Sequence, residues 1–273
     1  MLARRTLLVG SALGLAASAG RAAMPLAEGG FTPEHFALWV RLRAGEGAPV
    51  WWVSEGTMRA FPSGRLMAFL EGFDAARVHW PEPGRPLAHQ YNRKIYLFRH
   101  PETGAFLETW MGRTVEPIAY PYQFIIYELV GDRIQTMVEQ GAAPRIQRIG
   151  PGRGMAVRQV GASVVFTAPA FLSFPLPQGG RMEAFENYDF VATPGRSFAD
   201  APLSWLRTGP APAWAEGVPS VMHLVTRRVE SWQEVPAALR LRIEERYPLW
   251  REPPRDLAEV RRIQSGLAPL GGT

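Results

Sequence analysis

The sequence predicts a mainly β protein: an antiparallel barrel or strongly bent sheet, with a calycin-like barrel as one form, and helices at both ends. Beyond residue 50, short segments rich in aromatic and β-branched residues alternate with glycine and proline. That pattern is typical of antiparallel sheets and not of βαβ units. A chain of 273 residues that is 47% hydrophobic can bury a full core, which excludes a disordered chain.

The first 22 residues have the pattern of a cleaved export signal. Residues 1–5 are basic, residues 6–17 are apolar and rich in small side chains, and cleavage after Ala19 or Ala22 would follow small residues. The apolar stretch is shorter than the roughly 20 residues that a transmembrane helix needs. We therefore expect a periplasmic protein without stable membrane insertion after cleavage, and a single β-rich domain over 23–273.

The basic residues of this leader indicate the export route. Arg4 and Arg5 stand directly before Thr6, Leu7 and Leu8, which resembles a twin-arginine (Tat) signal. An ordinary Sec signal with two adjacent arginines is the alternative.

Helices are expected on both sides of the β region. Thr32 can cap a helix that has Pro33 in its first turn and ends at Gly45. Near the C terminus, 235–247 and 256–264 have apolar residues at helical spacing.

Ten strands are expected between these helices, and the proline-rich stretch 201–219 is expected to be a packed loop. The predicted strands are 50–53, 65–73, 77–80, 92–99, 105–111, 120–130, 133–139, 155–160, 163–168 and 182–191.

Alternation along these strands predicts an aromatic wall that also carries carboxylates. It either lines a cavity or forms a core face with the acids at its rim. The side chains expected to share faces are Tyr96 with Phe98, then Phe106 with Glu108 and Trp110, then Tyr122 with Phe124, Ile126 and Glu128.

A set of segments between residues 65 and 214 forms a recognisable pattern. They are 69–72 with Arg77, the turn 101–104 with Trp110, 112–117, the strand with Tyr188, and 204–207 with Trp214. This pattern resembles a family known as domain of unknown function 1838, many members of which are bacterial and Tat-exported. The resemblance implies homology but no catalytic residues, and His100 stands where the family usually has aspartate.

Three glutamates are candidates for acid–base chemistry. Glu108, Glu128 and Glu186 each fall inside an aromatic strand segment, where an ionised group is costly unless it is paired. A carboxylate beside aromatic walls has a raised pKa and can act as general acid or base. The alternative is that each glutamate forms an ion pair with one of the many arginines.

Aromatic and arginine side chains are the candidates for ligand binding, because this combination suits a planar ligand. In the alternative interpretation the tryptophans cover a barrel end. The candidates are Tyr96, Trp110, Arg113, Tyr122, Tyr188, Trp205, Arg207 and Trp214.

No metal or cofactor is expected. The chain has no cysteine, which excludes thiolate nucleophiles, cysteine-ligated zinc and iron–sulfur clusters. The five histidines lie at no ligand spacing on one element. A site that joins His79 and His89 to a carboxylate is the remaining alternative.

The positive charge does not favour a nucleic-acid partner. Of the 30 basic residues 29 are arginine and only Lys94 is lysine, a bias that we attribute to a GC-rich genome. Loss of the leader lowers the formal charge from +5 to +2.

The leading prediction is a periplasmic barrel that binds a small apolar or aromatic molecule. The alternatives are a cofactor-independent isomerase, lyase or hydrolase that uses one of the three glutamates on such a molecule, and a structural role in the envelope.

Overall fold

The computed structural model describes residues 30–141, 147–149, 154–175 and 180–266. The predicted leader, residues 1–22, lies outside these residues. The described chain forms one large antiparallel sheet, curved into a half-barrel, with helices at its N- and C-terminal ends. The predicted fold class is therefore confirmed.

Three α-helices and fourteen strands are present in the described residues. The helices are α1 (Pro33–Arg43), α2 (Ala237–Arg246) and α3 (Leu257–Gly266). The strands are β1 (Gly45–Glu46), β2 (Val50–Ala60), β3 (Leu66–His79), β4 (Leu87–Arg99), β5 (Thr109–Trp110), β6 (Arg113–Thr114), β7 (Ile118–Val130), β8 (Arg133–Gly141), β9 (Gln147–Ile149), β10 (Ala156–Val160), β11 (Ser163–Pro175), β12 (Arg181–Ala192), β13 (Pro202–Pro210) and β14 (Pro219–Val229).

The sheet has the connectivity of an up-and-down barrel. Its order is β10-β11-β12-β13-β14-β2-β3-β4-β7-β8-β9, and β1 adds to β3 in parallel. The first long strand, β2, therefore pairs with the last, β14, in the middle of the sheet. Within the described ranges no ladder joins the end strands β9 and β10, which leaves a half-barrel.

Several predicted boundaries are wrong. The predicted strands 65–73 and 77–80 form one strand, β3, and β14 is not among the ten predicted strands. The predicted loop 201–219 contains the strand β13, whose prolines Pro202 and Pro210 occupy its two ends, positions at which a strand tolerates proline. The predicted strand 105–111 is reduced to β5, because only Thr109 and Trp110 pair with β6.

Helix α1 fills one end of the concave face. Thr32 Oγ1 accepts a hydrogen bond from the His35 N–H, His35 Nδ1 accepts one from the Thr32 N–H, and Pro33 begins the helix. The helix thus begins where the sequence predicts, with a reciprocal cap. Its buried side chains pack against the sheet and are Phe36, Trp39, Val40 and Leu42.

Trp39 joins the two halves of the sheet. Its ring lies 5.8 Å from that of Tyr127 on β7 and 4.9 Å from that of Phe190 on β12. Both contacts are edge-to-face, an arrangement that aromatic pairs favour. Because β7 and β12 belong to opposite halves, the burial of Trp39 stabilises the curvature of the sheet.

The other end of the concave face is covered by irregular segments. Leu107 and Val115, which flank the β5–β6 hairpin, and Trp214 in a short 3₁₀ helix pack against Leu70 and Phe98 of the sheet. The concave face therefore has an apolar cover at each end and a middle zone between them.

The C-terminal helices lie on the convex face. Helix α2 packs on β2 and β3, and α3 packs on β4 and β7. Arg93 of β4 donates to Glu259 of α3 at 2.8 Å. Burial raises the pKa of the Glu259 carboxyl, but hydrogen bonds from the Arg255 backbone and from the Arg93 and Arg255 side chains outweigh it and lower that pKa to about 2.

A bulge in β7 controls which of its side chains face inward. Asn92 pairs with Gln123, but Lys94 pairs with Tyr120, so β7 has one more residue than β4 over this step. Pro121, which lacks an N–H, lies at this point, where a ladder bond is absent. As a result both Gln123 and Tyr120 face the concave side.

A close approach of β3 and β4 depends on Gly72. A Cβ at Gly72 would lie 2.1 Å from the Ile95 carbonyl oxygen and 2.8 Å from Cδ1 of Tyr96. The absent side chain therefore leaves the volume that the Tyr96 ring occupies.

We predict that Gly72→Ala destabilises the protein by about 1–3 kcal/mol, the usual cost of overpacking. The free energy of unfolding in urea measures this. The control is Gly266→Ala at the end of α3, where an added Cβ meets no atom within 4 Å. Equal stability of Gly72→Ala and wild type would contradict the close approach.

Candidate functional site

A carboxylate lies in the middle of the concave face. Asp74 of β3 is 5% exposed. One of its oxygens is 3.4 Å from Arg43 Nη2 at the end of α1. The other accepts a hydrogen bond from the Tyr96 hydroxyl at 3.3 Å and lies 3.8 Å from Lys94 Nζ. Two cations and one hydroxyl thus compensate a charge that would be costly to bury alone.

Hydroxyl groups extend this network across the sheet. Ser54 of β2 is hydrogen-bonded to the Tyr96 hydroxyl at 3.2 Å and to the Thr226 hydroxyl at 2.7 Å. These residues are buried, so the network holds the Tyr96 side chain from Ser54 on β2 as well as from Asp74 on β3.

A second carboxylate lies further along the same face. Glu186 of β12 accepts a hydrogen bond of 2.5 Å from the Tyr188 hydroxyl and one of 3.4 Å from the Trp205 indole. Arg207 Nε lies 3.6 Å from its other oxygen. Arg207 also donates to the Pro210 carbonyl, which holds its guanidinium toward Glu186.

Aromatic rings connect the two carboxylate centres. The Trp205 ring is stacked with that of Tyr96 at 6.5 Å and lies 6.1 Å from that of Tyr188. We call this group the concave cluster. Its members are Arg43, Asp74, Lys94, Tyr96, Tyr120, Glu186, Tyr188, Trp205 and Arg207.

The tyrosines of the cluster keep their protons. Burial raises the pKa of Tyr96 and of Tyr188 well above the ordinary value, and the charges of Asp74 and Glu186 add to this. Burial also raises the pKa of Tyr120, while the Lys94 charge acts in the opposite direction. The hydroxyls of Tyr96 and Tyr188 donate their protons to Asp74 and Glu186, so each can only accept a hydrogen bond from a bound molecule.

A row of amide side chains borders the cluster. Gln90 donates to Asn92, Asn92 to Gln123, and Gln123 to Gln140, at 2.9, 3.3 and 2.6 Å. The oxygen of Gln90, which is 0% exposed, has no hydrogen-bond partner in the described residues. The row makes the concave face polar as far as β8.

The three predicted glutamates are all paired with arginine. Glu108 is bound to Arg242 of α2, and Glu128 lies 2.6 Å from Arg85. Glu186 lies 3.6 Å from Arg207. The ion-paired alternative therefore describes all three, since long arginine side chains reach each carboxylate. An acid–base role for these glutamates would need an unpaired carboxylate, so that hypothesis loses its basis.

Four of the predicted ligand-binding residues belong to the concave cluster: Tyr96, Tyr188, Trp205 and Arg207. Tyr122 does not join them, because it lies with Phe124 on the convex face, where it packs against Val260 of α3. There its hydroxyl accepts a hydrogen bond from Gln264 of α3. The predicted wall of Tyr122, Phe124, Ile126 and Glu128 is thus not a cavity lining.

The remaining three candidates form part of the cover described above. Trp214 is buried, edge-on to Phe98 at 4.8 Å, and Trp110 lies 6.3 Å from it. Arg113 is exposed and donates to the Ala213 carbonyl. These residues close the end of the concave face, as the alternative interpretation of the tryptophans held.

Sequence reasoning missed Arg43, Asp74, Lys94 and Tyr120. An aspartate within the apolar run of β3 and the single lysine of the chain were visible signals for two of them. Tyr120 was hidden by the bulge, and Arg43 by its place at the end of a helix.

The described residues contain no group of three or more His, Asp or Glu side chains arranged to hold a metal ion. His79 and His89 face each other in register on β3 and β4. None of the helices in this part of the chain has the length and apolar character that crossing a membrane requires.

Comparisons with models of protein families, with curated proteins and with solved structures found no significant match to this chain. The resemblance to domain of unknown function 1838 stays a prediction.

The raised tyrosine pKa values predict a loss of stability at alkaline pH. The folded protein holds phenol protons that the unfolded chain loses above about pH 10. This stability is fully present below that pH and falls as the pH rises above it. Tyr188→Phe lacks one of these protons. Its free energy of unfolding, measured in urea, should therefore fall less than that of wild type between about pH 9 and about pH 11. An unchanged loss would contradict this assignment.

Proposed function

We propose that this protein binds a small aromatic or apolar molecule on the concave face of its half-barrel. The observation that carries the proposal is the position of the concave cluster between two apolar covers. The rings of Tyr96 and Trp205 are buried there, beside charged side chains that keep part of their exposure. Sites for small molecules combine apolar walls with a few placed polar groups in this way.

The rings of the cluster favour a planar ligand. Tyr96 and Trp205 are nearly parallel, with an interplanar angle of 10°, and their centroid separation of 6.5 Å is at the upper limit for aromatic pairs. A flat ring that packs beside them would gain contact area at little cost in side-chain entropy.

The polar groups favour a ligand with an oxygen atom. Lys94, Glu186 and Arg207 each retain 14% of their side-chain exposure, so they can meet a molecule that enters from solvent. The neutral hydroxyls of Tyr96 and Tyr188, which donate to Asp74 and Glu186, supply acceptors beside the rings.

The ligand itself can be identified by native mass spectrometry of the protein purified from its own cells. We expect a retained apolar or aromatic compound. Trp205→Leu should weaken its binding about tenfold, because stacking on one aromatic ring contributes on the order of 1 kcal/mol or more. The matched control is Trp250→Leu, since Trp250 packs on the convex side. A bare wild-type chain, or equal binding by both variants, would contradict the proposal.

We also propose export by the Tat route, on the basis of the leader alone. Replacing Arg4 and Arg5 together by lysine keeps the charge but removes the arginine pair, so the precursor should stay in the cytoplasm. Cell fractionation with mass spectrometry of the mature N terminus measures this. Unchanged export of the double variant would indicate the Sec route, and a wild-type chain found only in the cytoplasm would contradict export.

A further inference from the structure

Lys94 is the single lysine of the chain, beside 29 arginines. A guanidinium cannot lose its proton at ordinary pH, whereas a lysine amine can and then becomes a nucleophile. The one lysine lies on the concave face, in the proposed binding site.

The ammonium group of Lys94 makes few contacts with the rest of the described structure. Its one ion-pair partner in the described residues is Asp74, whose oxygen lies 3.8 Å from Nζ, longer than a hydrogen bond. Its nitrogen lies 5.7 Å from the centroid of the Tyr96 ring. The amine is therefore close to an aromatic surface and to a carboxylate, and its N–H donors are available to a ligand.

A carboxylate and a phenol lie next to this amine. Asp74 is shared with Arg43 and with the Tyr96 hydroxyl, so Lys94 is not its sole counterion. The β7 bulge places Tyr120 directly opposite Lys94. Bulges commonly re-aim side chains next to active sites.

Resting on the binding function proposed above, we propose that Lys94 is a nucleophile that forms an imine with an aromatic carbonyl compound. The Lys94 ammonium gives one proton to Asp74, and its nitrogen bonds to the carbonyl carbon while the carbonyl π electrons move to oxygen. A proton moves from nitrogen to that oxygen. Asp74 then returns its proton to the hydroxyl, which leaves as water, and a protonated C=N bond forms.

The single lysine makes this chemistry directly measurable. The full-length protein is incubated with 4-hydroxybenzaldehyde and sodium cyanoborohydride, which reduces the imine to a stable amine. Peptide mapping by mass spectrometry then follows the adduct. Lys94 and the α-amino group are the only primary amines of the chain, so the α-amino group is an internal control and free Nα-acetyl-lysine amide an external one.

We expect the adduct on Lys94 to form about 100-fold faster than on the free lysine derivative, and with saturation by aldehyde, because the site orients the ring and Asp74 assists proton transfer. Asp74→Asn should slow this reaction about tenfold or more. A wild-type rate at Lys94 no higher than that of the free amine, or without saturation, would overturn the inference. The comparison of wild-type Lys94 with the free lysine derivative does not involve a variant, so it tests the inference even if Asp74→Asn fails to fold.

A second measurement separates this inference from the binding proposal. Tryptophan fluorescence gives the affinity for 4-hydroxybenzyl alcohol, which has the same ring but no carbonyl group. We expect wild type to bind the aldehyde at least about tenfold more tightly than the alcohol, and Lys94→Arg to bind both equally, since it keeps only the charge. Binding of the alcohol without trapping of the aldehyde would refute the role of Lys94 and leave the binding proposal standing. Binding of neither compound would count against both.

Discussion

The charge of Asp74 is buried in the middle of the curved sheet, and much of the molecule is arranged around its compensation. Arg43 reaches it from the end of α1, while Tyr96 and Lys94 approach from β4. Removing one partner of a buried charge typically costs 3–5 kcal/mol. The position of α1 inside the half-barrel is thus coupled to the sheet electrostatically as well as by the packing of Trp39.

Two local departures from regular β structure shape the face around that charge. Gly72 gives the Tyr96 ring its space, and the bulge at Pro121 brings Tyr120 beside Lys94. Neither departure stabilises the sheet, because a glycine loses side-chain contacts and a bulge loses a ladder bond. Both departures shape the concave cluster. Departures that do not stabilise a fold are expected at functional sites, so their position agrees with a functional role for this face.

The apolar periodicity of the sequence predicts where helices and strands lie, but not what covers each face of a strand. The three helices and most strands lie where the apolar pattern predicts them. Alternation assigned Tyr122 and Phe124 correctly to one face of β7, but it could not show that α3 covers that face. A one-residue bulge then places Tyr120 on the face opposite to that of Tyr122 and Phe124, although simple alternation would put all three together, since side-chain direction has a period of two.

The sequence by itself determined the mainly β class, the terminal helices and the absence of thiol chemistry, because these depend on composition and on local spacing. It also contained the single lysine, although nothing local distinguished Lys94 from a residue at the surface. The tertiary structure alone decided that every candidate glutamate is bound to an arginine and that Asp74 is buried beside Lys94. These pairings join residues 20 to 134 positions apart, and such contacts follow from strand register and helix packing, which local sequence does not encode.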